Sequence, residues 1–186
     1  MRYSFRFLSK FAAVLILLVV AACAGKSEFM RDAAPDEALY APQPNKALVV
    51  FMRPSGLGFA VQSSVFDVTS GEPIFISIVS AKAKFAHQAN PGNRRFMVIG
   101  ENADFMDATL DRGKVYYALV SPRMGFWKAR FGLEPVTKEN MDTPEFAGWY
   151  GDTRWVENLG TAPEWARANM PSILEKIAEY LPDWEQ

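Results

Sequence analysis

Short apolar or alternating runs recur from Ala47 to Leu133, separated by turn residues and with no helical period between them. Strands at such close spacing favour an antiparallel sandwich over a fold in which helices alternate with parallel strands. Ala47 to Met52 is continuously apolar and stops at Arg53-Pro54, as expected of a strand covered on both faces. Val61 to Val68 alternates, with Val61, Ser63, Val65 and Asp67 on one side and Gln62, Ser64, Phe66 and Val68 on the other. Ser70-Gly71 supplies a turn before Pro73 to Val79. Asn90-Pro91-Gly92-Asn93 closes a strand over Lys82 to His87, Pro fixing the first central φ of the turn and Gly accepting a positive φ at the second. Arg95 to Ile99, Ala108 to Leu110, Val115 to Val120 and Trp127 to Leu133 continue the series. The fold class is therefore mainly β, an antiparallel β-sandwich of about seven or eight strands with a C-terminal α-helix.

The helical segment is expected within residues 139–186. Thr143-Pro144-Glu145 reads as a short helix start with Pro at its first position. Thr161-Ala162-Pro163-Glu164 has the capping-box spacing, Thr as N-cap and Glu three residues on. Met170, Leu174, Ile177 and Leu181 then share one helical face. Pro171 should kink or restart this helix and Pro182 should end it. Its apolar stripe is expected to pack on the sandwich.

The start of the chain reads differently. Arg2, Arg6 and Lys10 precede an apolar stretch from Phe11 to Ala22, and the only cysteine, Cys23, follows Ala21-Ala22. This is the layout of a secretory signal, and the apolar run is well short of the ~20 residues a spanning helix needs. Val20-Ala21-Ala22-Cys23 resembles the lipobox of bacterial lipoproteins, which implies cleavage between Ala22 and Cys23 and fatty acylation, palmitate included, of the Cys23 thiol. Ala24 in place of Asp implies sorting to the outer membrane instead of retention at the inner one. The expected organisation is a signal peptide over 1–22, a lipidated Cys and linker over 23–45 rich in Ala and Pro, and the sandwich domain over 46–186. A flexible linker of that length has ends about 25 Å apart. With Cys23 acylated no disulfide is available, so stability must come from the core.

Loss of residues 1–22 removes three basic residues from 20 and leaves 21 acidic ones, a net charge of −4. That balance argues against nucleic acid as a partner and against polybasic attachment to anionic lipid.

Ala47 to Pro54, then Pro91-Gly92 in a hairpin, then Gly113-Lys114-Val115-Tyr116-Tyr117 resemble the landmarks of a β-sandwich domain of unknown function found in small bacterial lipoproteins. The likeness covers Lys46 to Pro135. It implies a fold and a compartment, and no catalytic residue.

Candidate chemistry is sparse. Ser55-Gly56-Leu57-Gly58 follows a strand as a phosphate-cradling loop would, but Val61 stands where a third glycine belongs and no helix opens after it. His87 is the only histidine, so any histidine-dependent triad must pass through it, and a zinc set of Cys and His is not available. Glu101, Asp104, Asp107 and Asp111 form the densest run of carboxylates; Asp104, Asp107 and Asp111 are the candidates for weak Ca²⁺ ligation, though their spacing lacks the alternation of a calcium loop. Trp127, Trp149, Trp155, Trp165 and Trp184 all fall in the last third. They serve either as packing between helix and sheet or as an exposed face, with Trp149, Tyr150, Trp155 and Trp184 the candidate partner-binding residues.

The function these features suggest is an outer-membrane-anchored, periplasm-facing lipoprotein, non-enzymatic and without a cofactor. Its partners would be the membrane, through the N-terminal lipid, and an envelope protein or glycan. Two rivals remain at this level: a small envelope hydrolase using paired carboxylates, and a small-molecule or lipid carrier with an apolar cavity of at least ~300 Å³ between the sheets.

Overall fold

The computed structural model describes residues 28–34, 40–124 and 129–185. Ten strands are present among them: β1 (Met30–Asp32), β2 (Ala47–Arg53), β3 (Ser63–Asp67), β4 (Ile74–Val79), β5 (Ala83–Ala89), β6 (Gly92–Ile99), β7 (Ala103–Leu110), β8 (Val115–Met124), β9 (Ala129–Pro135) and β10 (Arg154–Asn158). The helices are α1 (Lys138–Met141), α2 (Pro144–Gly151), α3 (Thr161–Ala168) and α4 (Met170–Trp184). None of them is long and apolar enough to cross a membrane.

Two sheets form the sandwich, one of six strands in the order β1-β10-β5-β2-β8-β9 and one of four in the order β4-β3-β6-β7. Pairing is mostly antiparallel. The exceptions are β2 with β8 and β5 with β10, both parallel.

Strand β2 shows how sequence sets the layers. All seven of its residues are buried. Because side chains alternate across a strand, Ala47, Val49 and Phe51 enter the core between the sheets, where Phe51 meets Phe85 and Phe96. Leu48, Val50 and Met52 point the other way and are covered by Tyr117, Val136, Phe146 and Trp155. The second sheet repeats this arrangement. Val65, Phe96, Val98 and Met106 face inward, while Phe66, Met97, Ile99 and Phe105 face outward under α4 through Ile173, Ile177, Leu181 and Trp184. Helices therefore cover the outer face of each sheet, and the apolar runs of β2 and β6 need no polar side.

The structure corrects several sequence expectations. The linker expected over 23–45 is not wholly a tether, since Met30–Asp32 forms β1 and pairs with β10, and Met30 is buried. Pro91-Gly92 is not a hairpin between paired strands; with Gly92 at φ 105° it passes the chain from one sheet to the other. Helix α3 is preceded by Gly160 as N-cap with no side-chain bond, so the capping box at Thr161 does not form. Pro171 does restart the helix, at the start of α4, but Pro182 lies inside α4 instead of ending it. On α4 the buried position is Ile173, and Leu174 is 48% exposed. The stripe is rotated because Ile173, Ile177, Tyr180, Leu181 and Trp184 reach the second sheet together.

Candidate functional site

The carboxylates predicted as a cluster are dispersed by the pleat of β7. Asp104 accepts a hydrogen bond from the Leu133 backbone N–H at 2.8 Å. Asp107, three residues on and therefore on the opposite face, is clamped by Arg95 through two bonds of 2.7 and 2.9 Å. This pairing holds its carboxyl below the usual range. Asp111 sits in the turn before β8, where the Tyr116 hydroxyl accepts from its backbone N–H at 2.8 Å, and Glu101 is exposed on the β6–β7 turn. Among the described residues no three His, Cys, Asp or Glu side chains converge to hold a metal ion. His87, on β5, is half-buried with its ring edge-on to Phe96 at 6.2 Å. Cys23 and Ala22 lie outside the described residues, as does Trp127.

Four tryptophans are half-buried, and three of them, Trp155, Trp165 and Trp184, make ring contacts. Trp155 stacks on Tyr40 with centroids 3.8 Å apart. Trp184 packs on Phe105 and carries the Arg95 guanidinium 4.9 Å above its ring. Trp165 contacts Phe29 and Phe75, and the Trp149 carbonyl accepts from the Thr153 hydroxyl at 2.8 Å. Tyr150, 37% exposed, is the most open of the aromatic candidates. Together Tyr117, Phe146, Tyr150 and Trp155 form a continuous ring cluster on the outer face of the six-stranded sheet.

At the centre of that cluster lies Lys84, a residue the sequence did not single out. It is buried on β5. Its ammonium donates to the carbonyls of Tyr150 and Thr153 at 2.5 and 2.6 Å and stands 4.1 Å from the Tyr150 ring centre and 5.0 Å from that of Trp155. The Tyr150 carbonyl is in the last turn of α2, where the helix dipole favours a cation, and Thr153 follows just after the helix. Burial lowers the pKa of Lys84. Lys84 is thus an internal clamp that holds α2 to the sheet.

A second buried cation organises an exposed loop. Arg53, at the end of β2, is fully buried. It continues the inward-facing row of Ala47, Val49 and Phe51, and its guanidinium lies 4.6 Å over the Phe131 ring. One terminal nitrogen donates to the carbonyls of Val61 and Val79 at 2.8 and 3.2 Å, and the other to those of Leu57 and Gly58 at 3.1 and 2.7 Å. No carboxylate pairs with it among the described residues, and burial pulls its pKa down to about 10, still protonated at neutral pH. Three of its four acceptors belong to loop 54–62. Gly58 has φ 65°, a conformation suited to glycine. On the outside of this fastened loop Leu57 and Phe59 are 51% and 55% exposed.

Beside the loop, between the outer face of the four-stranded sheet and helices α3 and α4, is a cavity of about 300 Å³. It lies outside the sandwich, whereas the carrier reading places its cavity between the sheets, and of its lining residues only Trp165 was among the aromatic candidates. The signal was present in part: Asn169, Ser172, Ile173 and Lys176 recur at helical spacing. What they face depends on tertiary packing. No family profile, curated protein or solved structure matches the chain.

Proposed function

We propose that this chain is a lipid-anchored, non-enzymatic binding component of the bacterial envelope. On this reading it is held at the outer membrane by an acylated Cys23, belongs with the small lipoproteins whose β-sandwich domain it resembles, and meets a partner protein through loop 54–62. The anchor rests on the lipobox-like Val20 to Cys23 and on Ala24. The docking reading is carried by one observation, a buried guanidinium that fastens a loop whose apolar side chains Leu57 and Phe59 point into solvent. Fixing the loop in advance lowers the ordering cost of association. A Leu–Phe pair offers apolar area and no hydrogen bonds, which suits an apolar recess on a protein better than the hydroxyls of a glycan.

Two measurements test the two halves separately. In intact cells, a photo-crosslinking side chain in place of Leu57 is expected to give one discrete protein adduct that disappears when Phe59→Asp is added. The same probe in place of the exposed Leu174 is expected to give none. Adducts to lipid alone, or no adduct, reject the docking reading. Cys23→Ser is expected to abolish fatty-acid labelling and release the chain from the membrane fraction; persistent labelling rejects the anchor.

A further inference from the structure

The floor of the cavity is one cross-strand row. Ser64 on β3 pairs with Ile78 on β4 and with Ile99 on β6, so a hydroxyl is set between two isoleucines. Ser64 is 3% exposed, yet among the described residues it has no side-chain hydrogen bond, unlike Ser63, whose hydroxyl turns inward to the Val79 carbonyl. Ile173 and Trp165 close the apolar side. Asn169, the residue before α4, and Ser172 and Lys176 on α4 follow one helical stripe and form the rim. Among the described residues Lys176 is the only charged one lining the cavity. Its ammonium donates to the Glu101 carbonyl at 2.7 Å and has no ion-pair partner among the described residues.

The geometry points to a binding site for a small monocarboxylate with a short apolar chain. The apolar floor and wall accept the chain, and Lys176 with the neighbouring hydroxyl and amide groups accepts the carboxylate. A single ammonium balances one negative charge. A phosphate dianion is better served by the paired donors of arginine, and none lines this cavity. About 300 Å³ is at the small end of ligand sites, which limits the chain to a few carbons beside the carboxylate. The Ser64 hydroxyl opens onto the cavity, where a carboxylate oxygen or a water carried with the ligand can accept from it. The inference requires neither the lipid anchor nor docking through loop 54–62.

Hexanoate is the probe, added to the full-length chain with isoleucine methyl groups labelled for NMR. Saturable shifts are expected at Ile78, Ile99 and Ile173 and not at the remote Ile74. Lys176→Gln should weaken hexanoate at least about tenfold, the loss of one charge-assisted hydrogen bond, while leaving the thermal midpoint unchanged. Hexanol should bind no tighter to the native chain than hexanoate does to Lys176→Gln. Ser64→Ala is a second variant that nearly keeps the volume and removes the hydroxyl, and it too should weaken binding. Absence of saturable shifts at about 10 mM hexanoate, or equal affinity in native and Lys176→Gln proteins, overturns the assignment.

Discussion

Lys84 engages Tyr150 twice, donating to its backbone carbonyl at 2.5 Å and standing 4.1 Å from the centre of its ring. The first contact caps α2 and the second desolvates the cation against an aromatic face, so a single side chain ties helix to sheet. Lys84→Met keeps the apolar stem but leaves the Thr153 carbonyl without its donor. The expected cost is about 2 kcal/mol, the desolvation penalty of an orphaned acceptor. Hydrogen exchange checks the location: protection should fall in Pro144–Gly151 and Arg154–Asn158 before it falls in β2.

Stability should decline as acid is added through the histidine range, for a reason specific to His87. Desolvation is the main cause of its depressed pKa, with Lys46 and Arg94 adding to the effect and Asp67 opposing it, and the native value is about 4. The unfolded chain therefore binds a proton near pH 6.5 that the native chain refuses until about pH 4, so stability is lost as pH falls across that window. The magnitude is about 3 kcal/mol. His87→Leu should flatten this part of the pH dependence in urea titrations. An NMR titration placing the His87 pKa near 6.5 would contradict the account.

Gly132 has no Cβ because Arg123 occupies that space. An added methyl would collide with the guanidinium, which lies across the strand toward Glu134 at 3.2 Å. In Gly132→Ala the exposed arginine should swing away and lose that ion pair. The expected net change in stability is within about 1 kcal/mol, because an exposed pair contributes little and alanine is favoured over glycine in a strand. The discriminating measurement is a double-mutant cycle. Glu134→Gln should couple to Arg123→Gln in the native background and show no coupling in Gly132→Ala.

Adjacent residues of α4 should behave oppositely. Ile173 is 3% exposed and Leu174 48%. Ile173→Ala is expected to cost about 2–4 kcal/mol through the lost contacts and the cavity left behind, and Leu174→Ala less than about 0.5 kcal/mol. Thermal unfolding of the two variants side by side checks the rotation of the stripe.

The same alanine pair marks where sequence reasoning succeeds and where it stops. Strands β2 to β6, β8 and β9 were legible because each carries its own apolar run or alternation, β7 only over its last three residues because Asp104 and Asp107 interrupt its start, and α4 was legible from its period. The period did not settle which residue on that helix is innermost, since Pro171 and the partner face set the rotation. β1 and β10 were missed because Met30-Arg31-Asp32 and Arg154 to Asn158 are short and largely polar. They are strands through each other, joined by Arg31 to Glu157 and Arg154 to Asp32.

Charged residues were read correctly as unusual only where sequence neighbours made them so. Arg53 before Pro54 looked like the end of a ladder, and nothing local indicates that the carbonyls of the following loop fold back onto it. Lys84 looked like a solvated strand position, because the helix end that buries it arrives more than sixty residues later. Conversely, the density of Asp104, Asp107 and Asp111 along the chain suggested a site, and the alternation of β7 separates them.

The three-residue strand β1 has a mechanical consequence. It is the edge of the six-stranded sheet, and Phe29 just before it packs on Trp165 and accepts from the Leu159 backbone N–H at 2.8 Å. Tension applied from the N-terminal side loads the Phe29 contacts, three β1–β10 residue pairs and two surface ion pairs before it reaches β5 or β2. β1 is thus the first strand such a load tests, and it can detach only by withdrawing the buried Met30 from the core.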